Sequence, residues 1–320
     1  MDPEFKFSLI LPYFNEVNSI DYTLCKLLEL NHQPDEILFI DSNSTDQSYN
    51  KIDMFIKDHS KKNWFNFKTM FNTPSESKNF GIQKSSFEWC AFMDFDLDFD
   101  TDWTRKQVEC IIKNPNKMIF FGQINLKPKN YLDKLIILQT WGYDITSPVI
   151  PSSFIKKEYF KLNGYFKPYR SYYDKIFIKK SLKSELIYIN NSVIIRYRDI
   201  CYSNNFGSFF IKTINYSYQV VFINKIFPHY IYFMVFFTMI FIYFVNIYFF
   251  LFFLVTYLII RGLVIPVIKN KLLFNKIGFY EVPMLLVVGV LYDIFKLFGY
   301  FLGFFLRISK LTMRIDGLYK

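Results

Sequence analysis

Up to about Pro228 the chain alternates short apolar runs with longer polar stretches that have helical spacing. Buried strands appear in a sequence as such apolar runs, and the helices between them carry apolar residues every three to four positions. The pattern predicts strands at 7–12, 36–41, 67–70 and 89–94, with helices at 19–30, 45–58, 75–84 and 102–113. Strands and helices that alternate in this way indicate an α/β fold with a mostly parallel sheet.

After Pro228 the pattern changes, because the segment 230–260 has no charged residue and Asn246 is its only strongly polar one. A stretch of this length without charge is typical of membrane segments. Residues 228–268 would extend ~61 Å as a helix, about twice the thickness of a ~30 Å hydrocarbon core. A hairpin that turns near Asn246 is favoured over one crossing, because it returns the basic residues from Lys269 onward to the starting side.

Two further segments flank this predicted hairpin. Residues 205–227 are rich in aromatic side chains and predict a helix on the membrane surface. Residues 282–306 are apolar but contain Asp293 and Lys296, which are three positions apart and so can pair on one helix face. This last segment is predicted either to span the membrane or to lie on it as an amphipathic helix.

The expected organisation is therefore an α/β domain at 6–204, with a first half at about 6–100 and a second half at about 101–204. It is followed by the surface helix at 205–227 and the hairpin at 228–268. A basic loop, an apolar helix and a basic tail make up 269–320. Met1–Phe5 resembles a cloning remnant, and no signal peptide is expected.

Composition narrows the class of protein. With 52% hydrophobic and 21% aromatic residues, the chain is not expected to be disordered, collagen-like or a small disulfide scaffold. The net charge is +10, and from Pro228 onward nine basic residues face only three acidic ones. This placement favours an anionic membrane surface over nucleic acid as the partner. The four cysteines and three histidines have no zinc-site spacing.

The strongest chemical feature is a run of five aspartates at every second position from Asp94 to Asp102. A calcium loop of the EF-hand type is excluded, because Trp103 stands where the sharp turn of that loop needs glycine. Asp100 and Asp102 are explained as the start of the following helix. Asp94 and Asp96 remain at the tip of an apolar strand, where two carboxylates form a hard-oxygen site for Mg²⁺ or Mn²⁺.

Four motifs in order carry a resemblance to a known family. They are Leu-Pro-Tyr-Phe-Asn-Glu at 11–16, Phe-Ile-Asp-Ser-Asn-Ser-Thr-Asp at 39–46, Ser-Lys-Asn-Phe-Gly-Ile at 77–82, and Asp-Phe-Asp at 94–96. In these motifs and their spacing, the chain from Phe7 to Arg198 resembles the family 2 glycosyltransferases, whose catalytic domain has the GT-A fold.

The resemblance implies that 6–204 is a catalytic domain, with the nucleotide-sugar half at about 6–100 and the acceptor half at about 101–204. It also implies a nucleotide-sugar site at the carboxyl ends of the strands. In the family, the positions that match Glu16 and Asp41 contact the base or the ribose, and the Asp-x-Asp pair holds a divalent metal on the diphosphate. The residues implied in nucleotide-sugar binding here are Pro12, Asn15, Glu16, Asp41, Lys78 and Asp94, and the implied metal ligands are Asp96, as the principal one, and Asp94.

The acceptor side is predicted from weaker signals. By resemblance, Asp174 is the base that takes the proton of the acceptor hydroxyl, although Tyr173 stands where an acid is usual. The alternative is that Asp174 opens the helix that follows it. Trp141 and Tyr143 would form a stacking platform for the acceptor sugar or would simply pack in the interior.

Together these observations predict a membrane-anchored, metal-dependent, inverting glycosyltransferase. It would transfer a sugar from a nucleoside diphosphate, with UDP favoured, to a lipid-linked glycan of the cell envelope, with its catalytic domain on the cytoplasmic face. One alternative is transfer to a polyprenyl phosphate, which needs no base. The other is a non-catalytic membrane protein with a degenerate nucleotide-sugar fold. Membrane lipids are expected partners and nucleic acid is not.

Overall fold

The computed structural model describes residues 5–71, 73–142, 145–170, 172–198, 206–222, 228–270 and 277–312. These residues form two compact units. The first, here called the sheet unit, contains the described residues up to Asn125 and from Thr146 to Arg198. The second, the helical unit, contains 126–145 and the described residues from 206 onward.

The sheet unit is built on eight strands. They are β1 (Phe7–Tyr13), β2 (Glu36–Asp41), β3 (Trp64–Lys68), β4 (Trp89–Phe92), β5 (Leu97–Asp98), β6 (Ile119–Asn125), β7 (Thr146–Lys156) and β8 (Ile187–Tyr197). Its helices are α1 (Ile20–Leu28), α2 (Ser48–Asp58), α3 (Pro74–Lys84), α4 (Trp103–Lys113), α6 (Lys157–Asn163) and α7 (Tyr173–Ser181). The α/β prediction is confirmed.

The strand order is β3-β2-β1-β4-β7-β6-β8-β5. The first four strands are mutually parallel, as the alternation of strands and helices predicted. β7 runs antiparallel to β4 and β6, which makes the sheet mixed, and β6 is parallel to β8. Every residue of β1, β2 and β4 is buried, which explains why these strands read as continuous apolar runs.

The third strand lies earlier in the chain than predicted, at 64–68 instead of 67–70. Trp64 is 4% exposed and pairs with Ile37, so it begins the strand and packs in the core. Met70 is 76% exposed and belongs to the loop that follows. The apolar side chain of Met70 wrongly indicated that the strand reaches residue 70. The strand ends at Lys68, because the residues after it are not buried in the core.

Helix α3 packs tightly on β1 because Gly81 has no side chain. A Cβ atom at this position would lie 2.5 Å from Cγ2 of Ile10, which is too close for any real contact. We expect Gly81→Val to lower the free energy of unfolding by about 1–3 kcal/mol through overpacking. The measurement is thermal unfolding of the purified full chain in detergent.

The matched control is Gln83→Val, which places valine at an exposed position of the same helix. Its melting temperature should stay close to that of the unmodified chain, because β-branched residues cost an exposed helix position less than ~1 kcal/mol. Equal melting temperatures for both variants would contradict the close approach of α3 to β1.

The helical unit contains α5 (Tyr131–Thr140), α8 (Phe206–Phe222), α9 (Pro228–Val245), α10 (Ile247–Ile259) and α12 (Val282–Thr312). A π-helical turn, Ile260–Val264, joins α10 to α11 (Ile265–Lys269). Two stretches are long and apolar enough to cross a membrane, Ile247–Lys269 and Val282–Arg307, and the helix His229–Val245 is shorter but also apolar. Helix α8 lies within the segment 205–227, and the expectation that this segment lies on a membrane surface stays a prediction.

Helices α9 and α10 form a helical hairpin, and the expectation that this hairpin crosses a membrane stays a prediction. The hydroxyls of Tyr232 on α9 and Tyr257 on α10 both donate to the carboxylate of Asp293, at 2.8 and 3.1 Å, so the two helices return alongside each other. Asn246 makes the turn, and its side chain accepts hydrogen bonds from the backbone N–H groups of Tyr248 and Phe249. Asn is a favoured cap because its side-chain oxygen satisfies such open N–H groups.

Asp293 forms an ion pair with a residue of another helix. Its carboxylate lies 2.8 Å from Nε of Arg261, on the π-helical turn, so the pair joins two helices. Lys296 lies with Nζ 4.5 Å from the ring centre of Tyr292. Spacing along one helix could not foresee a cation that comes from another helix.

Segment 126–145 lies in the predicted acceptor half, yet it packs within the helical unit. Nζ of Lys134 on α5 is 3.1 Å from Oε1 of Glu281, and Asn270 donates to the carbonyl of Leu138 at 2.9 Å. The division of the chain into functional segments stays a prediction, with bounds at 6–204, 205–227, 228–268 and 269–320.

Candidate active site

Three loops of the sheet unit meet at one edge of the sheet. Strands β1, β2 and β4 are parallel neighbours, so the residues that follow them lie at the same edge. These residues are Asn15 and Glu16 after β1, Asp41 at the end of β2, and Asp94 and Asp96 after β4. The sequence motifs are therefore neighbours in space as well as in order.

Asn15 joins the first two loops. Its backbone is in the left-handed region with φ 56°, a conformation that asparagine tolerates better than most residues. Its Oδ1 accepts from the N–H of Thr45 at 2.8 Å, and its own N–H donates to Oγ of Ser44 at 3.0 Å. Pro12 is buried in β1 beside Ile40 and gives this turn a rigid base. Asn15 and Pro12, which were predicted to bind the nucleotide sugar, thus shape the loop that carries Glu16.

Asp41 is fully buried at the end of β2. Its Oδ1 accepts from the N–H of Ser44 at 3.0 Å, but its Oδ2 has no hydrogen-bond partner among the described residues. Burial and then the charge of Asp41 raise the pKa of the neighbouring Tyr13 well above its usual value. A buried carboxylate oxygen without a donor is costly, so a ligand that offers an N–H or O–H group would be bound here.

Lys78 links α3 to the aspartates. Its side chain is 1% exposed, and Nζ lies 2.7 Å from Oδ1 of Asp94 and 3.1 Å from the hydroxyl of Tyr173. Burial opposes the charge of Lys78, but Asp94 and Tyr173 outweigh it and raise its pKa. Burial raises the pKa of Tyr173 to about 12, so the phenol is neutral. The pair places one fixed positive charge beside the Asp-x-Asp motif.

Asp94, Asp96 and Glu16 form a cluster of carboxylates that is here called the acidic recess. The side chain of Asp96 is exposed, and partial desolvation by neighbouring atoms, followed by the charges of Asp94 and Glu16, raises its pKa. Burial likewise raises the pKa of Glu16, with Asp94 adding to the effect. Carboxylates that repel one another in this way are stabilised by a cation.

The recess does not hold a complete set of metal ligands. Within the described ranges, no group of three or more His, Cys, Asp or Glu side chains is placed to bind a metal ion together. Mg²⁺ and Mn²⁺ sites that take phosphate oxygens commonly use only one or two carboxylates, with water and substrate as the remaining ligands. Asp96 and Asp94 fit a site of that kind.

The other aspartates of the run are already paired. Asp98 accepts from the hydroxyl of Tyr22, and Asp100 forms an ion pair with Lys106. Asp102 precedes α4 and forms an ion pair with Arg105. The run leaves the line of β4 after Phe92, so only Asp94 and Asp96 stay at the edge of the sheet.

Sequence reasoning missed Arg198 as a site residue. Its backbone N–H donates to the carbonyl of Asp96 at 2.9 Å, and its Nη2 donates to the carbonyl of Phe95 at 2.8 Å. The guanidinium stacks 4.4 Å from the ring centre of Tyr22 and lowers the pKa of Glu16. The sequence offered one signal for this residue, which is its position directly after the alternating apolar residues of β8.

Asp174 lies in the first turn of α7, next to Tyr173. Tyr172 precedes them with φ 64°, a left-handed conformation that is unusual for a large side chain. Because Tyr173 contacts Lys78, this helix start lies close to the acidic recess. The same position also suits an acid that stabilises the start of a helix, so both interpretations of Asp174 stay open.

The two residues of the proposed acceptor platform lie outside the described part of the sheet unit. Trp141 follows α5 in the helical unit, with 40% of its side chain exposed. Tyr143 lies outside the described residues. The acceptor role of both residues therefore stays a prediction.

Comparisons with known proteins identify the family of the chain. The profile of glycosyl transferase family 2 matches residues 8–183. An uncharacterized glycosyltransferase of Haemophilus influenzae is 27% identical over 107 residues, 33% of this chain and 42% of that protein. Poly-beta-1,6-N-acetyl-D-glucosamine synthase of Staphylococcus epidermidis is 28% identical over 123 residues, 38% of this chain and 29% of that protein. The chain thus spans less than half the length of these relatives.

A solved structure shares the fold. It is a mannosyltransferase from Pyrobaculum calidifontis in complex with GDP-Man and Mn²⁺, with a TM-score of 0.52 and 15% identity, covering 69% of this chain and 64% of that one. The expected GT-A fold is confirmed. Because the family profile covers more than half of the residues, the chain belongs to glycosyl transferase family 2.

Proposed function

We propose that this chain is a metal-dependent, inverting glycosyltransferase that moves a sugar from a nucleoside diphosphate to a glycan acceptor at a membrane. The observation that carries the proposal is the acidic recess, where Glu16, Asp94 and Asp96 converge beside the buried ammonium of Lys78. A departing diphosphate gains negative charge, and a recess that attracts a cation is suited to stabilise it.

The nucleoside would bind where Asp41 lies. The unpartnered Oδ2 of Asp41 is placed to accept a hydrogen bond from a base N–H or a ribose hydroxyl. Glu16 follows the Asn15 turn at the same edge and would contact the same part of the ligand. The GDP-Man complex of the similar mannosyltransferase supports a nucleoside diphosphate sugar as donor, and we propose a UDP-sugar.

A divalent cation, Mg²⁺ or Mn²⁺, would be held by Asp96 and Asp94, and it would supply charge stabilisation for the leaving diphosphate. Lys78 keeps Asp94 oriented through its 2.7 Å contact and adds a fixed positive charge next to the phosphates. Asp94 is thereby shared between the metal and the lysine, while Asp96 is the principal ligand. The Mn²⁺ of the similar mannosyltransferase supports this assignment.

Asp174 would accept the proton of the attacking hydroxyl. General base catalysis of this kind needs a carboxylate within hydrogen-bond reach of the nucleophile, opposite the leaving group. The start of α7 lies beside Lys78 through Tyr173, which supports a position of Asp174 near the donor. The inverting outcome follows from the family resemblance. Trp141 and Tyr143 would bind the acceptor sugar.

The membrane attachment would come from the helical unit. Its two long apolar helices support an anchor, and the basic residues near them support contact with an anionic surface. We propose that the sheet unit faces the cytoplasm and that the acceptor is a lipid-linked glycan. The name of the related poly-beta-1,6-N-acetyl-D-glucosamine synthase supports a role in cell-envelope polysaccharide synthesis.

Replacing Asp41 by asparagine is expected to weaken nucleotide binding by about 10- to 100-fold. The amide would present a donor where the carboxylate oxygen accepts, and hydrogen bonds to charged groups contribute about 1.5–3 kcal/mol. Isothermal titration calorimetry of the full chain with UDP and Mn²⁺ gives the affinity. Asp53→Asn on the outer face of α2 is the matched control, and equal affinities for the two variants would contradict the role of Asp41.

The experiment that tests the proposal is the thermal unfolding of the purified chain with UDP, GDP or dTDP, each with and without Mn²⁺. We expect one nucleotide to raise the melting temperature, and to do so more strongly with Mn²⁺, since a ligand that binds only the folded state stabilises it. No shift with any nucleotide would argue for the non-catalytic alternative.

A further inference from the structure

Helix α12 crosses the hairpin of α9 and α10 at its base. Leu286 packs against Gly262, and the carbonyl of Gly289 accepts from Nε of Arg261 at 3.1 Å. Farther along α12, Phe301 packs on Phe233 with ring centres 4.8 Å apart, and the contacts end near Phe304. From 286 to 304 is roughly 27 Å of helix, at a rise of about 1.5 Å per residue.

The same contacts fall on a narrow band of the hairpin. On α9 they lie between His229 and Phe237, and on α10 and the π-helical turn they lie between Tyr257 and Gly262. The helical rise makes these two stretches about 12 Å and about 8 Å long. A helix that spanned the bilayer beside the hairpin would make contacts along its whole length. Here α12 runs steeply across the hairpin.

Helix α8 runs alongside α12 in the same direction. The rings of Phe209 and Tyr292 stack at 5.9 Å near the beginning, and Nη1 of Arg307 donates to the carbonyl of Val221 near the end. Between them, a Cβ atom on Gly303 would lie 2.6 Å from the carbonyl oxygen of Tyr218, so the backbones approach closely. The two helices form one layer below the hairpin.

The hairpin projects beyond this layer by about one leaflet. From Phe237 to Asn246 is nine residues and from Tyr257 to Asn246 is eleven residues. At the helical rise these are about 14 Å and about 17 Å, and half of a ~30 Å hydrocarbon core is ~15 Å. The projecting stretch is mostly apolar and uncovered, with Phe244 79% exposed and Phe252 64% exposed, and it also carries the exposed Tyr243 and Tyr248 beside the tip.

Polar groups concentrate where the helices cross. Arg261, Asp293, Tyr232 and Tyr257 are joined by hydrogen bonds at this level, and Lys296 lies over the ring of Tyr292. Tyrosine and basic residues are typical of the membrane–water interface. Among the described residues of the hairpin and α12 in this region, the charged side chains therefore lie at the base, while the tip has none.

The turn at the tip does not need water. Asn246 donates its N–H to the carbonyl of Ile242 at 2.9 Å, and its side chain accepts from the N–H groups of Tyr248 and Phe249. Polar backbone groups in a hydrocarbon environment must be paired within the protein. This turn is compatible with a position inside the bilayer.

We propose that α9 and α10 enter only one leaflet of the membrane, with Asn246 near the bilayer midplane and α8 and α12 lying in the plane of the headgroups. The acyl chains of that leaflet contact the exposed surface of the hairpin. All helices of the unit then stay on one side, including the end of α12. This inference rests on the membrane attachment in the proposed function and specifies its depth.

The test measures depth with single cysteines in the full chain, after the four native cysteines have been replaced by serine or alanine. Val245→Cys reports the tip and Ile259→Cys reports the base, and both native side chains are mostly exposed. The labelled protein is bound to the outside of phosphatidylcholine vesicles that contain a minor share of phosphatidylglycerol. Nitroxide lipids quench the label from near the headgroup or from near the end of the acyl chain.

We expect the tip label to be quenched best from the end of the acyl chain and the base label from near the headgroup. A membrane-impermeant maleimide trapped inside the vesicles should react with neither. Reaction of the tip with the trapped reagent would show full crossing and overturn this inference, with Tyr243 and Tyr248 then at the far interface. No quenching at either position would overturn the membrane attachment itself, whereas nucleotide binding is measured separately.

Discussion

The variant Asp96→Ala is expected to lose metal-dependent release of nucleotide from the donor by about a thousandfold. Asp96 is the carboxylate at the centre of the acidic recess, with Asp94 and Glu16 as its charged neighbours. Metal ions contribute several kcal/mol to the stabilisation of developing charge, and a loss of ~4 kcal/mol corresponds to about three powers of ten in rate. Asp94 alone is a poor replacement, because it is already paired with Lys78.

The measurement is the initial rate of nucleotide release as Mn²⁺ is titrated, together with the Mn²⁺ affinity from calorimetry in the presence of nucleotide. Asp100→Ala is the matched control, since Asp100 belongs to the same run but is paired with Lys106 on the surface. A variant Asp96→Ala with an unchanged Mn²⁺ affinity would contradict the assigned metal site, even if its rate were lower.

The variant Asp174→Asn is expected to lower kcat by about 10²- to 10⁴-fold while the KM for the donor stays within about twofold. General base catalysis contributes rate factors of this size, and the amide cannot accept the proton. Because Asp174 follows Tyr173 and does not line the Asp41 pocket, donor binding should be preserved. Steady-state kinetics with the donor and acceptor varied separately give both parameters.

Glu158→Gln is the matched control for this change, because Glu158 is an exposed acid in the first turn of the neighbouring helix α6. If Asp174→Asn kept most of the activity, a base would not be needed. The acceptor would then carry its own anionic nucleophile, as a polyprenyl phosphate does, and Asp174 would serve to stabilise the start of α7.

The nucleotide half of the fold could be predicted because its signals are local. Strands β1, β2 and β4 are buried on both faces, so each is a continuous apolar run that needs no partner to be recognised. Their parallel order places Asn15, Asp41 and Asp94 at one edge, which follows from topology alone. The same holds for the hairpin, where the absence of charge and one Asn246 were sufficient.

The remainder depends on contacts between distant parts of the chain. β7 inserts antiparallel between β4 and β6, and no local pattern specifies such a pairing. Arg198 reaches Asp96 from the last strand, and Tyr173 reaches Lys78 across 95 positions. Arg261 pairs with Asp293 from another helix, a contact that spacing along one helix does not show. The periodicity of apolar residues indicates which face of a helix or strand is buried, but not which other element packs against that face.

The most direct test of the central claim is a screen of the purified full chain against UDP-, GDP- and dTDP-sugars with Mn²⁺ or Mg²⁺, with free nucleotide as the product measured. A transferase built on this recess should release nucleotide from at least one donor, only with the divalent ion, and Asp96→Ala should fall to background. Equal background for both proteins across all donors would contradict the enzyme and leave only a nucleotide-sugar fold.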